Sequence, residues 1–183
     1  MNLPEKYAWL DQEGAPQLLV QALKLVGTKE VPGPKHSPTI LGWLKKLAFG
    51  WIKDDETPWC GTSLAYAAVE AGVAVRNPEM PRAFWWENWG MPVPMPRSAS
   101  DPNGPSLGDV LVFNISHVGI YVGEDATHYH VLGGNQGNAY NIVRFPKAWL
   151  KAARRTPWKI AQPANVRRVW LKADSTPTST TTR

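Results

Sequence analysis

The chain has 183 residues and a mass of 20.3 kDa, enough for one domain of ordinary size and too short for two complete cores. With 43% hydrophobic and 19% charged residues, a disordered polyelectrolyte is excluded, and the lack of a glycine period or sustained heptad excludes collagen and coiled coil. A net charge of +5 and a pI near 9.4 favour an anionic partner, although the basic residues gather mainly toward the C-terminus. No recognition-helix or base-stacking motif accompanies that charge, so nucleic acid is not the expected partner.

A single cysteine, Cys60, rules out an internal disulfide framework and any zinc site built on several thiols. No run approaches the ~18 apolar residues of a membrane span, and the first residues lack the basic segment and apolar run of a signal peptide. The expectation is a protein made in the cytoplasm, without stable membrane insertion, that reaches its site of action by another route. Ten tryptophans are the compositional outlier. One small core has limited room for ten indoles whose N–H groups each want a partner, so some are expected to line a groove.

Residues 15–26 place Leu18, Leu19, Ala22, Leu23 and Val26 at helical spacing, with Gly27 as the stop. A Gly- and Pro-rich loop follows, and 39–51 resumes a helical pattern through Ile40, Leu41, Leu44 and Leu47. In 54–73, Thr57 suits an N-cap and Pro58 the first helical position, with Leu64, Ala65, Ala68 and Val69 as the buried face and Gly72 as the end. Cys60 therefore falls in the first turn of a helix. The stretch 76–108 is rich in Pro and Trp, with one short helix expected within 81–90 and no regular element in 91–106.

From residue 108 the pattern changes to short strands at 109–114, 117–123, 127–134 and 139–145, rich in Val, Ile or Tyr and separated by turn residues. Their close spacing predicts an antiparallel meander. A last strand at 165–172 is expected at its edge, the domain is expected to span 1–172, and the tail 173–183 reads as disordered by its composition. Helices first and strands second predict an α+β fold with a helix packed on one antiparallel sheet.

A thiol in the first turn of a helix feels the positive end of the macrodipole, and free backbone N–H groups there can hold an oxyanion. The alternative for Cys60 alone is a small buried hydrophobe. A thiolate mechanism needs a base, to be found among His36, His117, His128 and His130. His117 opens a strand directly after a turn, at a sheet end that a helix terminus can reach. His36 lies in the Pro-rich loop, while His128 and His130 alternate along one strand face and also read as solvated or capping imidazoles. The group that fixes the base's tautomer is sought at Asn135, which lies near the end of the following strand. Turn chemistry among Gly133, Gly134 and Gly137 is the other reading of Asn135 and Asn138. Asp109, at a strand start, reads as a residue bonding nearby backbone.

Three blocks, DDETPWCGTSLAYAAVEAGV, GDVLVF followed by HVGIYVGED, and VLGGNQGN, resemble the cysteine peptidoglycan hydrolases of the NlpC/P60 and CHAP group. The similarity is strongest to a small phage and prophage endolysin-type branch, and it covers roughly 15–149. It implies a papain-like core with Cys60 as nucleophile, His117 as base and Asn135 as third member, needing no cofactor and no metal. It also implies bacterial peptidoglycan as substrate, cut as a peptidase or an N-acetylmuramoyl-L-alanine amidase, by a protein expected to be a monomer that acts on the wall after release. Gly61 departs from the Ala or Ser common in relatives, with only a local effect expected on the helix start. Trp59, Trp85, Trp86 and Trp89 are the candidates for a substrate groove, against ordinary core packing for at least half of them. Two rival functions stand beside this one. One is a zinc amidase using His128 and His130 with Asp125 or His117, and the other a non-catalytic, Trp-rich wall-binding module. The acidic run Asp54, Asp55 and Glu56 reads as a solvated loop in preference to a calcium site.

Overall fold

The computed structural model describes residues 3–98, 101, 103–158 and 161–172; the tail at 173–183 and its expected disorder lie outside the described residues. Three α-helices come first, α1 (Gln17–Leu23), α2 (Pro38–Lys46) and α3 (Cys60–Glu70), preceded by a 3-10 helix at Glu5–Gln12. A second 3-10 helix, Ala83–Asn88, occupies the place where a short helix was expected. Six strands follow among the described residues: β1 (Met91–Pro92), β2 (Val110–Phe113), β3 (His117–Glu124), β4 (His128–Gly133), β5 (Asn141–Pro146) and β6 (Leu150–Arg155). The architecture is α+β.

The strands form one antiparallel sheet in the order β1-β6-β2-β3-β4-β5. Its β2 to β5 portion is the expected meander. Every residue of β2 and β3 is buried, and since successive side chains point to opposite faces, both faces of the sheet are covered there, not one. α3 packs against β3 and α1 against α3, so the helix that carries Cys60 lies on the strand that His117 opens.

Three local expectations are corrected. β6 runs through Leu150–Arg155, a stretch not anticipated as strand, and it separates β1 from β2. The segment 165–172 is not an edge strand. β2 stops at the Val110–Ile120 pair, which leaves the far end of β3 open on that side; there Glu124 N–H donates to the Val169 carbonyl (2.8 Å) and Leu171 N–H to the Glu124 carbonyl (2.8 Å). Residues Met91–Pro92, expected to be irregular, add a two-residue strand to β6.

Candidate active site

α3 begins two residues later than its cap signal implied. The Thr57 N–H is held by Asp54 Oδ1 at 2.7 Å, Pro58 stays outside the helix, and Trp59 occupies the N-cap. The first ring closes from Ser63 N–H to the Trp59 carbonyl (2.9 Å), so the amides of Cys60, Gly61 and Thr62 have no acceptor within the helix. Cys60 remains in the first turn.

Cys60 is 4% exposed and lies between two cavities. A cavity of about 640 Å³ is lined by Cys60, His117, Asn135, Gln136 and Phe145, among others. On the other side, one of about 460 Å³ is lined by Cys60, Arg82, Phe84 and Trp85. Pro58 and Ser116 border both. Burial pushes the Cys60 thiol above its ordinary pKa, while the backbone N–H groups of Val118, Gly61 and Cys60 favour the thiolate. Val118 directly follows His117, so the sulfur lies at the end of the strand that carries the imidazole, and both side chains line the same cavity.

The imidazole is fixed in one tautomer. His117 Nε2 lies 3.0 Å from Gln136 Oε1, and the Gln136 amide cannot turn over without losing donors: its Nε2 donates to the Asn141 carbonyl (2.8 Å), Asn141 Oδ1 (3.1 Å) and the Val131 carbonyl (3.2 Å). Gln136 Oε1 must accept, so His117 carries its proton on Nε2 and leaves Nδ1 as a lone pair. Asn141 Nδ2 returns a bond to the Gln136 carbonyl (3.1 Å), which locks the two amides together. His117 also stacks on Phe145 with ring centres 4.9 Å apart, and Phe145 stacks on Phe113. This desolvation lowers the His117 pKa, with the Gln136 bond opposing it. Both shifts favour the neutral forms of the thiol and the imidazole.

Gln136, not Asn135, is the side chain hydrogen-bonded to the His117 ring. Asn135 lines the same cavity, but it sits in the left-handed region (φ 57°) and the chain presents the next side chain to the imidazole. Of the four groove tryptophans, Trp85 lines one of these two cavities and the other three line neither. Trp59 (1% exposed) and Trp86 (0%) belong to the core, their indole N–H groups donating to Glu30 Oε2 (3.3 Å) and the Met80 carbonyl (3.0 Å). Trp89 is half-buried against Trp86 and borders neither cavity. Trp59 instead presses on Gly134: a Cβ there would lie 2.5 Å from the indole and 2.4 Å from Ser63 Oγ. The residue before Cys60 therefore seats the turn that delivers Gln136.

The remaining histidines do not converge on this site. His130 is buried, with Nδ1 2.7 Å from the Tyr7 hydroxyl and Nε2 3.1 Å from Asp125, and His128 Nδ1 bonds Thr127 Oγ1 (2.7 Å). Among the described residues no three His, Cys, Asp or Glu side chains gather as metal ligands, which leaves the zinc alternative without a ligand set. Asp55 is not solvated: fully buried, it accepts the N–H groups of Val31 (2.8 Å) and Ser37 (2.7 Å) and bonds His36 (2.9 Å). Asp109 accepts the Ser106 N–H (2.8 Å), as expected of a strand-start residue, and also pairs with Arg155 through two bonds. Gln136 stood inside the block VLGGNQGN already singled out, so the signal was present but one residue away.

Neither a protein-family model nor a curated protein matches the sequence, so the family resemblance rests on the three blocks alone.

Proposed function

We propose that the chain is a thiol hydrolase with a papain-like core that cleaves an amide or peptide bond of bacterial peptidoglycan. The observation that carries the reading is the convergence of Cys60 and His117 on one cavity, with Gln136 holding the imidazole as an acceptor at Nδ1. The carbonyl carbon of the scissile bond is attacked by the Cys60 sulfur as His117 Nδ1 takes the thiol proton. The carbonyl oxygen becomes an oxyanion near the amides of the α3 first turn, which have no acceptor within the helix. His117 then gives its proton to the leaving amine, and water, deprotonated by the same nitrogen, releases the acyl group from sulfur.

The cavities on either side of Cys60 suit a substrate lying across the thiol, with the Trp85 and Phe84 side presenting aromatic surface. The choice of peptidoglycan rests on the three-block resemblance, supported by the positive net charge. The phage-type likeness supports lysis of a bacterial host as the setting.

Digestion of purified peptidoglycan by wild type and Cys60→Ala, with mass spectrometry of the fragments, tests the reading. New free amines without new reducing ends, lost in the variant and after iodoacetamide but kept in EDTA, are expected. New reducing ends would mean glycosidase action and refute it. Undiminished function in Cys60→Ala would select the non-catalytic wall-binding module.

A further inference from the structure

The opposite end of β3 carries a further cavity that the hydrolytic reading does not use. His117 opens the strand and Asp125 directly follows it, on the order of 25 Å away at strand rise. The cavity, of about 480 Å³, is lined by Lys6, Asp125, His130, Arg144, Leu171 and Lys172 among others. Its three permanent cations come from three separate parts of the chain: the N-terminal 3-10 helix, β5 and the segment after Leu171.

The one carboxylate there is already spent. Asp125 Oδ1 accepts the N–H groups of Thr127 (2.9 Å) and His128 (3.0 Å), and Oδ2 takes Arg144 Nε (2.8 Å) and His130 Nε2 (3.1 Å). Arg144 uses Nε and Nη2 in these contacts, leaving Nη1 without a partner among the described residues. Lys6 and Lys172 are exposed and have no anionic partner among the described residues; Lys6 rests over the Tyr7 ring at 5.2 Å. Burial, with Arg144 and Lys6 nearby, holds His130 below its ordinary pKa against the pull of Asp125. With Arg144 paired to Asp125, the cavity therefore presents, among the described residues, two free ammonium groups and one unused guanidinium N–H edge.

We propose that this cavity is a binding site for a phosphate group, as a mono- or diester, separate from the thiol site. Two mobile ammonium groups and one guanidinium N–H edge, approaching from different segments, match an anion with several oxygens better than a planar carboxylate, which one arginine fork satisfies. The volume leaves room for groups esterified to the phosphate. A phosphodiester-linked polyol and free phosphate share this chemistry, and the test separates them.

Cys60→Ala protein, which cannot turn over substrate by the proposed route, is titrated with poly(glycerol phosphate) oligomers and with inorganic phosphate, at low and at physiological salt. Lys6→Gln/Lys172→Gln is compared with Lys45→Gln/Lys53→Gln, which removes the same charge from exposed lysines elsewhere. The site predicts at least a ~10-fold loss of affinity in the first pair and less than ~2-fold in the second. Tighter binding of the oligomer than of phosphate, per phosphate group, assigns the polymer; equal binding assigns the free anion, and both support the site. Equal losses in the two double variants would reduce the effect to net charge and overturn it, as would no binding by the parent protein at low salt, where the attraction is strongest.

Discussion

A neutral amide beside the imidazole gives this site its character. A carboxylate in the place of Gln136 would stabilise imidazolium; the amide fixes the tautomer without supplying charge, and the Phe145 stack keeps the ring poorly solvated. With the His117 pKa lowered and the Cys60 pKa raised, the competent form, neutral imidazole with protonated thiol, persists between those two values. The acid limb of kcat/KM is therefore expected below the ordinary imidazole range. Gln136→Ala leaves the Nε2–H without its acceptor and frees the tautomer, and a loss of about 10- to 100-fold in kcat with little change in KM is expected. Gln136→Glu should move the acid limb upward by about one pH unit, because a buried carboxylate favours the protonated ring. Full activity in the alanine variant, or an acid limb unmoved by glutamate, would remove Gln136 as the positioning residue. That a residue of VLGGNQGN lies against His117 was legible from the sequence; that it is Gln136 depends on the left-handed backbone at Asn135, which spacing alone does not determine.

The elements around the nucleophile meet at two glycines. Gly61, expected to matter only for the helix start, brings α3 against the Met80–Pro81 backbone: a Cβ would lie 2.2 Å from the Pro81 carbonyl oxygen and 2.7 Å from that of Met80. Gly134 does the same for the Gln136 turn against Trp59 and Ser63. Helix propensity favours Gly61→Ala by up to ~1 kcal/mol, but overpacking against backbone costs about 1–3 kcal/mol, so a net loss of stability is expected in denaturant midpoints. An unchanged or raised midpoint would show that the Met80–Pro81 segment yields freely. The same contrast explains what was legible among the elements. α3 and the meander announce themselves through local periodicity and turn residues. β6, with the sequence LKAARR, has little β-branched signal; Arg154 reaches the Trp89 carbonyl (2.6 Å) and Arg155 reaches Asp109 (2.8 Å), partners 65 and 46 residues away. Its place in the sheet is fixed by contacts that no local window contains.

Across the whole molecule, two buried neutral imidazoles at opposite ends of the β3–β4 pair link the fold to pH. His117 is 8% exposed on Phe145, and His130 is held between Tyr7 and Asp125; burial lowers both pKa values. In the unfolded chain both rings titrate near ~6.5. As pH falls through that value, the unfolded state takes up protons that the folded state refuses, so stability must drop. The depressed carboxylates act in a different window: Asp55 and Asp125 contribute stability above the unfolded carboxylate range, near ~4, and lose it only as pH falls below that range toward their folded values. Between pH 7 and about 5.5 the two imidazoles thus pull stability down as pH falls, opposed by Asp109, whose pKa burial raises so that the folded state takes up its proton first. Thermal unfolding followed across this interval is expected to show a falling Tm, with a shallower slope in His117→Gln, which removes one of the two linked protons and is compared by slope and not by absolute Tm. An equal slope in wild type and His117→Gln would mean that the His117 ring accepts its proton inside the fold; since a protonated His117 cannot serve as the proposed base, that result would also count against the neutral-pair chemistry at Cys60.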